Sequence, residues 1–208
     1  MTDKIKKLDI EYDFVFIINC LPEKERVKFN ISQDLMNFLA KEGVNQFTSI
    51  CSNKVQVLEV FSYLKKLAKN GDKFCIHFIS HGSKDGLWIK ETQEDILWSE
   101  IRQHFNEINN LLGGTLTINM TSCLGLHGIK IVDENSTDYP FFGLVGYSKD
   151  LEVSQGKKIN ELFYSKLLNN KNVNEAVIEM KQELNDSNLY CISSQLYKAI
   201  KNTSNKHN

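Results

Sequence analysis

The sequence predicts an α/β fold with a mostly parallel central sheet and helices on both faces, and three observations carry that prediction. Residues 14–18 and 74–79 are almost unbroken apolar runs, the pattern of strands buried on both faces. Such runs alternate with stretches whose apolar residues recur at helical spacing, in units of the length that parallel βα connections require. Finally, two residues suited to chemistry, His81 and Cys123, stand immediately past predicted strands, where open parallel sheets gather their functional loops.

In chain order, the first strand is 14–18. A helix over about 32–42 follows, with Leu35, Phe38 and Leu39 on one face and Gly43 as its stop. Residues 47–51 carry the β-prone Phe47, Thr48 and Ile50 and form a second strand. Ser52 or Asn53 can cap the next helix, whose face runs Val57, Val60, Phe61, Leu64 and Leu67 until Asn70 and Gly71 end it. The third strand is 74–79, leading into Ser80-His81-Gly82. Residues 87–89 read as a short extra strand, and a helix begins at Ser99 with Ile101, Phe105, Ile108 and Leu112 inward. The fourth strand, 116–120, runs straight into Thr121-Ser122-Cys123. A fifth spans 142–146, and 155–168 and 173–184 are amphipathic helices. Residues 189–197 fit a strand or a helix equally, and the polar tail from about Asn202 is expected to fray.

At 208 residues the chain has the size of a single domain, here 1–208 with a core over about 12–200. Its 25 basic and 26 acidic residues leave a net charge of −1, which argues against nucleic acid as a partner, since phosphate binding needs a basic surplus. The basic start (Lys4, Lys6, Lys7) precedes an apolar run too short for a signal peptide or a membrane span, so a cytoplasmic location without membrane contact is expected. The five cysteines, at 20, 51, 75, 123 and 191, form no CxxC pair and no zinc spacing, and in a reducing compartment they are free thiols. Neither a metal nor another cofactor is expected.

If the strands ending at residues 79 and 120 are neighbours, they lie about 4.8 Å apart. His81 and Cys123 would then face one substrate. A thiol is an intrinsic nucleophile, and an imidazole exchanges protons near neutrality. The N–H groups of Gly82 and Cys123 are suited to an oxyanion hole. For Cys20, Cys51, Cys75 and Cys191, in or beside apolar elements, the reading is a small buried hydrophobe. His77 within a strand reads as a core histidine, and His104 lies on a helix flank. Cys123 and His127 have the i,i+4 spacing of a helical metal pair, but no third or fourth ligand accompanies them.

Residues 74–82, Phe-Cys-Ile-His-Phe-Ile-Ser-His-Gly, resemble the strand and Ser-His-Gly element of caspases. Thr121-Ser122-Cys123-Leu124-Gly125 is similar to the caspase active-site pentad, with a helix intervening as in that family. Val145-Gly146-Tyr147-Ser148-Lys149-Asp150 is similar to the tyrosine-serine strand end that borders the caspase specificity pocket, and 155–184 resembles the closing helices of caspases and CHAT-domain peptidases. The resemblance spans about residues 12–185. It implies a three-layer caspase-like sandwich and a cysteine endopeptidase acting on protein substrates. Cys123 would be its nucleophile, His81 its proton carrier, and Gly82 and Cys123 its oxyanion donors. The family requires no third carboxylate, and none is evident in the sequence.

Tyr147, Ser148, Asp150 and Thr121 are the substrate-binding candidates that the resemblance implies. Caspase pockets use arginines to select an acidic residue. Here Asp150, with Glu152 close by, stands where one arginine would be, and another maps only loosely to Arg26 or Lys28. A pocket carboxylate would favour Arg or Lys before the cut. Asp150 as a plain surface charge is the competing reading. Residues 133–138 read as a flap, and the short loop after Cys123 leaves little to self-cleave. An activating protein or ligand is therefore expected from outside a chain that the catalytic core nearly fills. Stand-alone bacterial relatives of the family often act in defence or cell death. The alternative functional class is a catalytically silent caspase-like module that binds a partner; a nucleotide-binding fold lacks a phosphate loop after the first strand.

Overall fold

The structure, a computed structural model, describes residues 12–204. The basic start noted above lies outside those residues. Strand β1 (Phe14–Asn19) sits inside a six-stranded sheet with β2 (Gln46–Ile50), β3 (Phe74–Ile79), β7 (Thr117–Met120), β8 (Gly143–Tyr147) and β9 (Leu189–Ile192). The order is β2-β1-β3-β7-β8-β9, parallel throughout except for the antiparallel edge strand β9. A separate antiparallel ribbon comprises β4 (His81–Gly82), β5 (Gly86–Ile89) and β6 (Glu94–Leu97).

Alternation along the strands builds two cores. Phe14, Phe16 and Ile18 point to one face with Phe74, Ile76 and Phe78, and are covered by α3 (Lys54–Lys69) and α4 (Trp98–Leu111) through Phe61, Leu64, Ile101 and Phe105. Val15, Ile17 and Cys75 point to the other face, under Leu35 and Leu39 of α2 (Ile31–Lys41), Phe163 and Tyr164 of α5 (Val153–Leu168), and Val177 and Met180 of α6 (Val173–Leu184). Both faces of β1 and β3 are covered by buried apolar side chains, which is why these strands read as continuous apolar runs.

Connection β1–α2–β2 leaves on one side of β1, and β2–α3–β3 returns on the other side and the opposite face. The chain after β1 and the chain after β3 therefore diverge, opening a crevice at their carboxyl ends. That crevice is where the site lies.

Several elements differ from the sequence reading. Helix α1 (Glu23–Phe29) was not foreseen; none of its residues is buried, Val27 is 78% exposed, and so it carries no apolar stripe. Asn30, at φ 53°, separates it from α2. Strand β6 was also missed, because only Ile96 of its four residues is buried. Residues 189–197 resolve into both alternatives: β9 ends at Ile192 and α7 (Ser194–Ser204) begins two residues on, tied down where Ser194 Oγ donates to the Phe141 carbonyl at 2.8 Å. Residues 202–204 belong to the last turn of α7 rather than to a frayed tail. No helix among the described residues is long and apolar enough to cross a membrane.

Candidate active site

Strands β3 and β7 pair directly, with Ile76 opposite Ile118 and His77 opposite Asn119, so their carboxyl ends lie side by side. His81 and Cys123 leave these ends and line one cavity of about 120 Å³. Its remaining wall comes from across the crevice: Leu21 and Glu25 after β1, Phe29 and Ile31, and Leu151, Val153, Gly156 and Asn160 around the start of α5. The wall is mainly apolar.

Close backbone approach holds the two sides together. A Cβ on Gly82 would fall 2.2 Å from the Cys123 carbonyl oxygen, so only glycine lets the strand carrying His81 meet the turn carrying the thiol. Past Cys123 the chain turns sharply through Leu124, at φ 55°, a conformation that costs a non-glycine residue about 1 kcal/mol or more. The turn is secured where Leu124 N–H donates to the Lys149 carbonyl at 3.0 Å and Gly125 N–H to the Ser122 carbonyl at 3.0 Å. Residues 125–131 then form a 3-10 helix, so Cys123 and His127 are not on one α-helical face. Among the described residues no three His, Cys, Asp or Glu side chains group as metal ligands.

Cys123 is half-buried, and its sulfur meets one segment twice: Leu151 N–H donates to Sγ at 3.2 Å, and Sγ lies 3.6 Å from the Leu151 carbonyl oxygen. His81 packs against Trp88, its cross-strand partner, at 5.7 Å between ring centroids. Its Nε2 lies 2.7 Å from Glu25 Oε2, and Lys90 Nζ reaches Glu25 Oε1 at 2.5 Å. Burial raises the Glu25 carboxyl, but the hydrogen bonds from Lys90 and His81 outweigh it and hold the group below its ordinary value. The sequence reading missed this carboxylate. Glu25 is 56 positions from His81 on a helix without an apolar stripe, and only the β1/β3 crevice joins the two.

Of the four substrate-binding candidates, Thr121 lines the cavity; it donates to Asn160 Oδ1, while its N–H donates to Asn119 Oδ1 at 3.0 Å. Tyr147 is buried and donates to Asp186 Oδ2 at 2.5 Å, and Ser148 Oγ lies 3.5 Å from Asn188 Oδ1. Both are turned toward the 186–188 loop and off the cavity wall. Asp150 is exposed and also off that wall, whereas its neighbour Glu152 is on it. Arg26 donates to the Leu21 carbonyl at 2.6 Å, bracing the turn after β1, and Lys28 lies over the Phe29 ring. Ser80 Oγ and Ser122 Oγ, next to His81 and Cys123 in the chain, are buried without a partner.

The remaining thiols lie elsewhere. Cys20, Cys51 and Cys75 are buried in the cores, and burial pushes the half-buried Cys191 up to about 11. His77 is fully buried on the α5 side, its Nδ1 3.0 Å from the Tyr164 hydroxyl and its Nε2 unpartnered.

A six-stranded, mostly parallel sheet between two helical layers, with loops converging past β3 and β7, is an α/β sandwich consistent with a caspase-like fold. Among solved structures the chain is similar to the crystal structure of the caspase drICE, with a TM-score of 0.54 over 93% of this chain and 94% of that one, at 10% sequence identity. At that identity the likeness is one of fold. No family model and no curated protein matches the sequence.

Proposed function

We propose that the chain is a caspase-like cysteine endopeptidase. The observation that carries this reading is that Cys123 and His81, from adjacent parallel strand ends, line one cavity. Cys123 Sγ attacks the scissile carbonyl as His81 takes the thiol proton. The N–H groups of Gly82 and Cys123 receive the oxyanion, and His81 returns the proton to the leaving amine. Water then hydrolyses the thioester. The apolar wall suits the stem of a long basic side chain and Glu152 its charged head, so the preferred residue before the cut is Arg or Lys. A peptide library tests this: cleavage after Asp and not after Arg or Lys overturns it.

One observation favours the second reading, a silent binding module. Cys123 Sγ is engaged by the Leu151 backbone. In the peptidase reading the same contact is a restraint, released when a protein or ligand partner draws the 148–152 segment away. Labelling with an electrophilic peptide, with and without cell extract, separates the two. Modification confined to Cys123 and lost in His81→Ala supports the peptidase. Slow labelling shared among several thiols under both conditions leaves the silent module. Full reactivity of the purified chain alone removes the need for an activator.

A further inference from the structure

We propose that Glu25 is the positioning residue of His81, so that the catalytic unit is Cys123–His81–Glu25 with Lys90 steadying the carboxylate. The inference rests on the peptidase reading and adds a residue to it.

An ionised carboxylate only accepts hydrogen bonds. A neutral His81 whose Nε2 lies 2.7 Å from Glu25 Oε2 must therefore carry its proton on Nε2. That choice leaves Nδ1 as the lone pair, the nitrogen able to take the proton of Cys123. Without the carboxylate, both tautomers of a half-exposed imidazole compete, and the ring beside Trp88 loses its hydrogen-bonded anchor.

The carboxylate is itself fixed from two sides. Glu25 stands in the first turn of α1, braced by its own N–H donating to the Pro22 carbonyl at 2.9 Å and by Arg26 on the Leu21 carbonyl. Lys90, the residue after β5, holds Oε1 at 2.5 Å and leaves Oε2 for the imidazole. The β4–β6 ribbon thus supplies His81, the ring it packs on and the cation that steadies its partner. Glu25 retains only 16% side-chain exposure although α1 buries none of its residues. These polar contacts fix the orientation of a side chain that its neighbours largely cover.

The experiment uses the full chain and two readouts. Nitrogen-15 NMR of histidine-labelled protein reports the tautomer: His81 is expected as the Nε2–H form in the wild type, as a mixture in Glu25→Ala, and shifted toward the Nδ1–H form in Glu25→Gln, where Lys90 takes the single amide oxygen and the NH2 group faces Nε2. Labelling of Cys123 by the electrophilic peptide, with any activator the wild type needs, is expected to fall at least about tenfold in its limiting rate in Glu25→Ala, with half-saturating probe concentration unchanged and no recovery in Glu25→Gln. Lys90→Ala is expected to fall between wild type and Glu25→Ala. An unchanged tautomer, or an unchanged limiting rate on a reactive wild type, overturns the assignment of Glu25. A wild type whose Cys123 reacts no faster than its other thiols overturns the peptidase reading instead, and the nitrogen signals alone then decide whether Glu25 sets the ring.

Discussion

At Gly82, one missing methyl group decides how closely the strand end bearing His81 approaches the turn bearing Cys123. The Cys123 carbonyl oxygen occupies the space a Cβ would need, and it belongs to a turn already strained at Leu124. Neither side can move cheaply. Gly82→Ala is therefore expected to cost about 1–3 kcal/mol in stability, the usual penalty for overpacking, and to force the two strand ends apart. The expected signature is a soluble, cooperatively melting protein whose Cys123 labelling falls at least about tenfold, because proton transfer depends steeply on separation. Labelling at the wild-type rate in a folded Gly82→Ala protein would mean that the close approach has no part in the chemistry.

At the scale of elements, legibility follows burial. Helices α3 and α6 show in the sequence because their apolar stripes are what their cores require, and β3 shows because both of its faces are covered. Helix α1 and strand β6 do not show: Glu23–Phe29 buries nothing, and β6 buries Ile96 alone. The same division runs through the site. His81 and Cys123 follow legible strands, while Glu25 sits on the illegible helix, and Asp150 drew attention by sequence proximity although Glu152 is the one on the cavity wall. Caps are a middle case. Ser52 and Asn53 are equivalent by residue type, but the backbone makes Asn53 the cap, extended at φ −149°, with its side chain accepting from Gln56 N–H at 2.9 Å. Asn53→Ala is expected to destabilise by about 1 kcal/mol, lowering the melting temperature by about 2–4 °C, while Ser52→Ala leaves it nearly unchanged. Thermal melts of the two variants check this, and equal effects would sink the assignment.

Across the whole molecule, the face of the sheet opposite α3 and α4 encloses a group that would carry charge in mildly acidic water. His77 is fully buried in β3, and desolvation lowers it to about 3 from an ordinary value near 6.5. Between these values the unfolded chain binds a proton there and the folded chain does not. Stability therefore rises with pH across this window, and falls as acid is added from about pH 6.5 down to about 3. His104 and His127 are lowered in the same direction, first by burial, so the whole protein is expected to weaken early on acidification. Glu25 behaves otherwise. Its carboxyl is held below its ordinary value, so its contribution is lost only when the pH falls through that lower range, after the histidines have begun to act. The share of His77 can be isolated by replacing it with a neutral polar residue. Urea unfolding from pH 6 to pH 4 should show wild-type stability falling more steeply than that of His77→Gln, by up to about 1.4 kcal/mol for each pH unit. Equal slopes would mean that His77 takes up its proton inside the fold, with the Tyr164 hydroxyl accepting from the charged ring instead of sharing a hydrogen bond with a neutral one.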